Sequence, residues 1–223
     1  MVSFLYDCHV HTSETSPCGK IAGREMVELY HQANYSGIVV TDHYFDGFFE
    51  PLGGAWEAQF QAYLQGYEQA YKRGQDLGVE VLLGLELRFV GSSNDYLIYG
   101  VDREFLLNHP RLDKLDVYSF GALARKHNLL VVQAHPFRSG MQVGPLEFLD
   151  GVEVYNGNPR HDSANHQALS YAQKHGLIQL ACSDAHQYGD VARGAVELPY
   201  KVSTSRQLVE LLKVSPVLPT RVS

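Results

Sequence analysis

The sequence predicts an α/β fold in one domain, residues 1–223: a parallel sheet, closed or nearly closed into a barrel and wrapped by helices. Three observations predict it. Short apolar runs alternate with segments of helical period along the whole chain, the pattern of repeated β–α units. The apolar runs are nearly continuous rather than alternating, as expected where helices cover both faces of a parallel sheet. About seven such strands fit in 223 residues without a linker or internal repeat, a size suited to a single barrel. The other architecture open to this pattern is a doubly wound sheet. No Gly-x-Gly-x-x-Gly follows the first strand, so dinucleotide binding has no support.

The elements follow in order. Phe4, Leu5 and Tyr6 open a first strand that runs into Asp7-Cys8-His9-Val10-His11. Met26, Leu29, Tyr30 and Ala33 stand at i, i+3, i+4, i+7 and mark a helix. Gly37-Ile38-Val39-Val40 is a strand ending in Thr41-Asp42-His43. Phe60, Tyr63, Leu64, Tyr67 and Tyr71 form the stripe of a long helix over 55–77, with Gly78 placed to end it. Strands are expected over 80–86 and 95–99, with the turn-forming Gly91-Ser92-Ser93-Asn94 between them. A helix at 115–126 precedes a strand at 129–134 that leads to His135-Pro136. A strand at 151–155 leads to Asn156, a helix at 163–174 follows, and a strand at 177–182 leads to Ser183-Asp184-Ala185-His186. A short strand at 195–198 and a helix carrying Leu208, Leu211 and Leu212 complete the chain.

Composition narrows the class. Hydrophobic residues at 45% and charged residues at 19% describe an ordered globular chain. No apolar run approaches the ~20 residues of a membrane helix, and the N-terminus has neither the basic nor the apolar region of a secretion signal. Three cysteines, Cys8, Cys18 and Cys182, are too few and odd in number for a disulfide framework. A reducing, cytoplasmic setting is the expectation. A net charge of −7 argues against a long nucleic-acid partner. It leaves room for a small phosphorylated molecule, because metal ions supply positive charge locally. The oligomeric state is not encoded in any motif.

Eleven histidines are many for this length, and their positions matter more than their number. His9 and His11, Asp42 and His43, Glu86, His135, Asp184 and His186 all stand at the C-terminal ends of expected strands. In a parallel barrel those ends meet on one face, where active sites are built. His9-x-His11 and Asp184-x-His186 each put two donors on one side of an extended segment. Each pair alone is also compatible with two surface residues. Glu86 closes an apolar strand, and a buried carboxylate needs a cation, either a metal or an arginine such as Arg88. His135 can be a ligand or a hydrogen-bonded core histidine. Asp42 points away from its neighbour His43 and can orient a ligand or cap a turn. Jointly, the pattern is that of a metal centre.

The motifs Asp-Cys-His-Val-His-Thr at 7–12, Thr-Asp-His at 41–43, Gly-Leu-Glu at 84–86, Ala-His-Pro at 134–136 and Ser-Asp-Ala-His at 183–186 resemble, in order and over nearly the whole chain, the PHP superfamily, named for polymerase and histidinol phosphatase. The resemblance implies a distorted seven-stranded β/α barrel, TIM-barrel-like, with two or three divalent ions (Zn, Mn or Fe). It implies that His9, His11, Glu86 and Asp184 hold the first ion, that Glu86 and His135 share the second, and that His43 and His186 hold the third. Two positions depart from the family pattern. Where many members carry His or Asp after the first motif, this chain offers Cys18 or Glu14. Where they carry a His after the Glu motif, it offers Asp95.

Clustered divalent ions bring the pKa of a bound water toward ~7 and neutralise phosphate oxygens. The expected activity is hydrolysis of a small phosphate ester by a metal-dependent phosphoesterase, with Glu86, Asp184 and His186 at the reacting centre. Arg138 and Arg193 are candidate phosphate ligands, because a guanidinium grips phosphate bidentately. His161 or His166 can be a leaving-group acid or a solvated loop residue. Tyr44, Phe45, Phe48, Phe49 and Trp56 can form a lid or plain core. A nuclease-like phosphodiesterase acting on short oligonucleotides and an amidohydrolase-type C–N hydrolase are the competing activities. No strand-end lysine supports the latter. A regulator that keeps a degenerate site is the non-enzymatic reading.

Overall fold

A computed structural model describes residues 3–214 and 218–221. The strands are β1 (Phe4–Val10), β2 (Gly37–Val40), β3 (His43–Tyr44), β4 (Glu80–Leu83), β5 (Leu85–Leu87), β6 (Tyr96–Tyr99), β7 (Leu130–Gln133), β8 (Gly151–Asn156), β9 (Ile178–Cys182), β10 (Gly194–Leu198) and β11 (Leu218–Arg221). The helices are α1 (Gly23–Gln32), α2 (Asp46–Leu52), α3 (Trp56–Tyr63), α4 (Gln65–Leu77), α5 (Arg103–Asn108), α6 (Val117–Lys126), α7 (Asn165–His175) and α8 (Ser205–Val214). The expected mixed α/β fold is present. The long helix expected over 55–77 is two, α3 and α4, parted at Leu64.

A closed seven-stranded barrel is not formed among the described residues. The strands divide into two sheets, ordered β11-β10-β1-β2-β4 and β3-β5-β6-β7-β8-β9. The chain crosses between them four times: directly at Thr41–Asp42 from β2 to β3 and at Gly84 from β4 to β5, and over longer connections from β3 back to β4 and from β9 to β10. The two sheets also meet where Val10, at the end of β1, bridges Ala185, beyond the end of β9. There His11 N–H donates to Ala185 O at 3.0 Å and Ala185 N–H to His9 O at 3.3 Å. Nor is the sheet all parallel: β6 runs antiparallel to β5 and β7, and β10 antiparallel to β1. The linkers into β6 and β10 are too short for a helical crossover, so those strands return in the opposite direction.

The buried residues form three clusters. Tyr6, Cys8, Val39, Leu82, Leu97, Leu130, Leu180 and Val196 pack together between the strands, with Leu208, Val209, Leu211 and Leu212 of α8 against them. A second cluster fills the space under α2, α3, α5 and α6, and a third lies under α1 and α4. The register of β1 against β2 shifts between Asp7 and Val10. Cys8 accordingly packs in the inner cluster while Val10 packs with Met26 and Tyr30 of α1. A bulge of this kind re-aims side chains, and here it turns His9 and His11 toward the strand ends.

Tyr44, Phe49 and Tyr63 are buried against one another and Trp56, so the aromatic stretch is core rather than lid. Phe45 alone turns back, its ring 6.0 Å from that of His43.

Candidate metal centre

The chain brings His9, His11, His43, Glu86, Asp95, His135, Asp184 and His186 into one cluster around Glu86. Glu86 Oε1 is 3.2 Å from His9 Nε2 and 3.1 Å from His135 Nε2, and Oε2 is 3.4 Å from His11 Nε2 and 2.6 Å from His43 Nδ1. Asp184 Oδ1 lies 3.4 Å from His9 Nε2, 3.5 Å from His11 Nε2 and 3.4 Å from His186 Nδ1. Three overlapping sets have ligand atoms within 4.8 Å of one another: His9–His11–Glu86, Glu86–Asp95–His135 and His11–His43–His186. Asp95 reaches the cluster because β6 is antiparallel: the start of that strand lies where the parallel strands end.

Hydrogen bonds fix which nitrogen each histidine presents. His9 Nδ1 faces Glu153 Oε1 at 3.0 Å. A carboxylate only accepts, so Nδ1 carries a proton and Nε2 is the nitrogen left to face an ion once its own proton is displaced. Ser16 Oγ donates to Asp42 Oδ1 at 2.6 Å, which leaves it to accept from His11 Nδ1 at 3.0 Å. His186 Nδ1 donates to the backbone oxygen of Asp184 at 2.9 Å. His9 Nε2 and His11 Nε2 are buried without any hydrogen-bond partner, whereas His135 turns its Nε2 to Glu86 Oε1 at 3.1 Å. Inward lone pairs with no partner, held from behind by an oxygen, are the arrangement of metal-ligating histidines, so the donor set fits divalent ions.

Two ligand candidates carry backbone strain. His135 has φ 30° and Asp184 φ 53°, a left-handed conformation that costs non-glycine residues of order 1–3 kcal/mol. Their surroundings hold them there. His135 N–H donates to Glu153 Oε2 at 2.9 Å. Asp184 Oδ2 accepts from Arg138 Nη2 at 2.9 Å and Asn156 Nδ2 at 3.1 Å.

The charge balance is tight. Burial opposes a charge on His9, but Asp184, Glu86 and Glu153 outweigh it and raise its pKa well above the ordinary value. Burial, with His186 and His43 nearby, drives His11 well below it. Glu86 is pulled well below the carboxylate range by His43 and His9 against the effect of burial. Protons on histidine thus balance the carboxylates, and divalent ions would displace them.

Cys18 lies at the rim, with Sγ 3.1 Å from His43 Nε2. Burial raises its pKa, but hydrogen bonds with His186 and His43 bring it down to about 6. Glu14, the other candidate there, instead accepts from Gly23 N–H at the start of α1. Asp95 Oδ2 is 4.0 Å from His135 Nε2. Both its oxygens are gripped by Arg88, at 2.7 Å each, so Arg88 pairs with Asp95 and not with Glu86.

A cavity of about 440 Å³ opens over the cluster, lined among others by Lys20, Arg88, Arg138, Arg160, His161 and Asn158. Arg138 lines it but is tied to Asp184 and Ser163. Arg193 does not line it: it is exposed, and its Nε donates to Gly189 O at 2.6 Å. His166 is exposed on α7 and also lies outside the lining.

The family model of the PHP domain matches residues 7–214. The chain belongs to the PHP domain family. No curated protein matches its sequence. Among solved structures the PHP chain is similar to PsfC from Pseudomonas syringae, at 17% identity and TM-score 0.70, covering 100% of this chain and 93% of that one. It is similar to a two-domain protein from Bacteroides vulgatus containing a predicted PHP-like metal-dependent phosphoesterase, at 16% identity and TM-score 0.69, covering 99% of this chain and 65% of that one. It is also similar to the lesion-specific endonuclease EndoQ from Pyrococcus furiosus, at 14% identity and TM-score 0.60, covering 98% and 58%. At these identities the likeness concerns the fold.

Several contributors to the PHP site escaped the sequence reading. Glu153 and Asn156 sit on β8 and touch His9, His135 and Asp184. A charged residue inside the apolar run Val152-Glu153-Val154 was the available signal. Ser16, Asn158 and Arg160 lie in loops without periodicity and gave none.

Proposed function

We propose that this PHP domain is a metal-dependent phosphoesterase acting on a small phosphorylated molecule. The observation that carries the reading is the set of inward, unpartnered histidine nitrogens around Glu86, set beneath a cavity lined with Lys20, Arg138 and Arg160. His9, His11, Glu86 and Asp184 would hold one ion, Glu86, Asp95 and His135 a second, and His43 and His186 a third. Bound divalent ions supply a water of lowered pKa and neutralise phosphate charge.

The protein's own groups do the rest. Glu153, Ser16 and the Asp184 carbonyl keep the imidazole nitrogens aimed inward. Lys20 offers positive charge to phosphate oxygens, while Arg160 divides its guanidinium between Asp190 and the cavity and Arg138 between Asp184 and the cavity. Burial and Arg138 lower the pKa of His161 at the cavity wall.

The cavity volume suits a metabolite-sized ligand, and the net charge of −7 disfavours a long polyanion. Three unpaired cysteines agree with a reducing, cytoplasmic setting. Among the described residues no helix is long and apolar enough to cross a membrane.

The test is turnover of an aryl phosphate by protein stripped of metal and then reloaded with manganese or zinc. Activity is expected only after loading. His9→Ala and Asp184→Ala are expected to fall to background with unchanged circular dichroism. A chain inert in every metal would remove the hydrolase reading, and preference for a short oligonucleotide over all monoesters would favour the phosphodiesterase.

A further inference from the structure

Three histidines at the outer end of the cluster share one feature. Each has its Nδ1 turned to an oxygen: Ser16 Oγ for His11, Glu86 Oε2 for His43 and the Asp184 carbonyl for His186. Each therefore presents Nε2 to the space between them. The rings are close, with His11 to His186 at 4.1 Å and His11 to His43 at 4.4 Å between centroids. His11 Nε2 is fully buried and has no hydrogen-bond partner. Cys18 borders this space, its Sγ 3.1 Å from His43 Nε2 and beside His186 on the cavity wall.

We propose that Cys18 is a thiolate ligand to an ion held with Nε2 of His43 and His186, making the outer position of this site sulfur-ligated and selective for zinc-like metals. The inference rests on the metal-centre reading above and adds a ligand chemistry to it. In tetrahedral zinc sites, Zn–S of ~2.3 Å and Zn–N of ~2.0–2.1 Å put sulfur and nitrogen about 3.6 Å apart. The present 3.1 Å is a hydrogen-bond contact between the same two atoms. A relaxation of about half an ångström converts it into shared coordination. Two imidazoles and one thiolate leave a fourth position for water or substrate, the ligand count of a catalytic zinc site. Thiolate favours zinc or cobalt over manganese and magnesium, so the outer position would discriminate among metals where the carboxylate-rich inner positions would not.

The test is spectroscopic and needs no substrate. Metal-free full-length protein is titrated with cobalt(II) chloride and its absorption followed. Wild type is expected to develop a near-ultraviolet thiolate-to-cobalt band. Cys18→Ser is expected to lose the band together with one bound ion, and Cys18→His to keep the ion and lose the band. Cys8 and Cys182 are fully buried in the inner apolar cluster and cannot supply it. Cobalt bound with visible absorption but no thiolate band would overturn this inference and leave the hydrolase reading standing. A wild-type chain that binds no cobalt would overturn both.

Discussion

Glu153 shows how one side chain sets the chemistry of others. Its Oε1 takes the Nδ1 proton of His9 and its Oε2 takes the backbone N–H of His135. Glu153→Gln keeps the shape but turns an amide donor toward one of these two donors. Removing such an orienting partner lowers metal affinity by about 10–100-fold. That loss is expected in competition with a chelator, with the fold intact by circular dichroism. Unchanged affinity would show that His9 orients itself without this contact. The sequence displayed Glu153 as one charge within an apolar strand. What it could not display is the partner 144 positions away.

At the scale of elements, α1 and α4 approach each other through glycine. A Cβ on Gly66 of α4 would lie 1.8 Å from Thr12 Oγ1, and one on Gly23 of α1 would lie 2.3 Å from the backbone oxygen of Gly66. Thr12 cannot simply retreat, because its Oγ1 donates to Asp42 Oδ2 at 2.6 Å and its N–H to Asp42 Oδ1 at 2.7 Å. Asp42 in turn accepts from Ser16, which holds His11 and the backbone N–H of His43. Alanine at 66 gains up to about 1 kcal/mol of helix propensity, but overpacking a filled core costs about 1–3 kcal/mol. Gly66→Ala is therefore expected to lower the urea midpoint and to weaken metal binding together. A stabilised variant with unchanged metal affinity would show that α4 can shift without disturbing the site. Asp42 was legible as a candidate orienting group. The helix that presses on it was read only as an apolar stripe.

Across the whole molecule, the cluster concentrates Glu86, Asp95, Glu153 and Asp184, all buried, at one end of the strands. Ions that bind only the folded chain stabilise it by mass action. For each site, metal at 100 times its dissociation constant adds about 2.7 kcal/mol. In a chain of this size that amounts to roughly 5–11 °C in Tm. Zinc or manganese is expected to raise the melting temperature of stripped protein by that order, and a chelator to reverse it. A melting temperature indifferent to both would argue against any metal at the cluster.

The sequence by itself determined the α/β class, the strand order along the chain and the ligand candidates. Local periodicity and strand-end polarity are written in neighbouring residues, and seven ligand candidates at five strand ends could be read without knowing how they meet. Tertiary structure decided what depends on residues distant in sequence. It split the expected barrel into two sheets, because the chain steps from one sheet to the other at Thr41–Asp42, between β2 and β3, and at Gly84, between β4 and β5. It brought Asp95 to the centre through an antiparallel strand and tied it to Arg88. It set Cys18 rather than Glu14 against His43, because Glu14 is taken by the start of α1. It also removed Arg193 from the cavity and placed Arg160 there. Loop side chains carry no period, so only the packed chain fixes where they point.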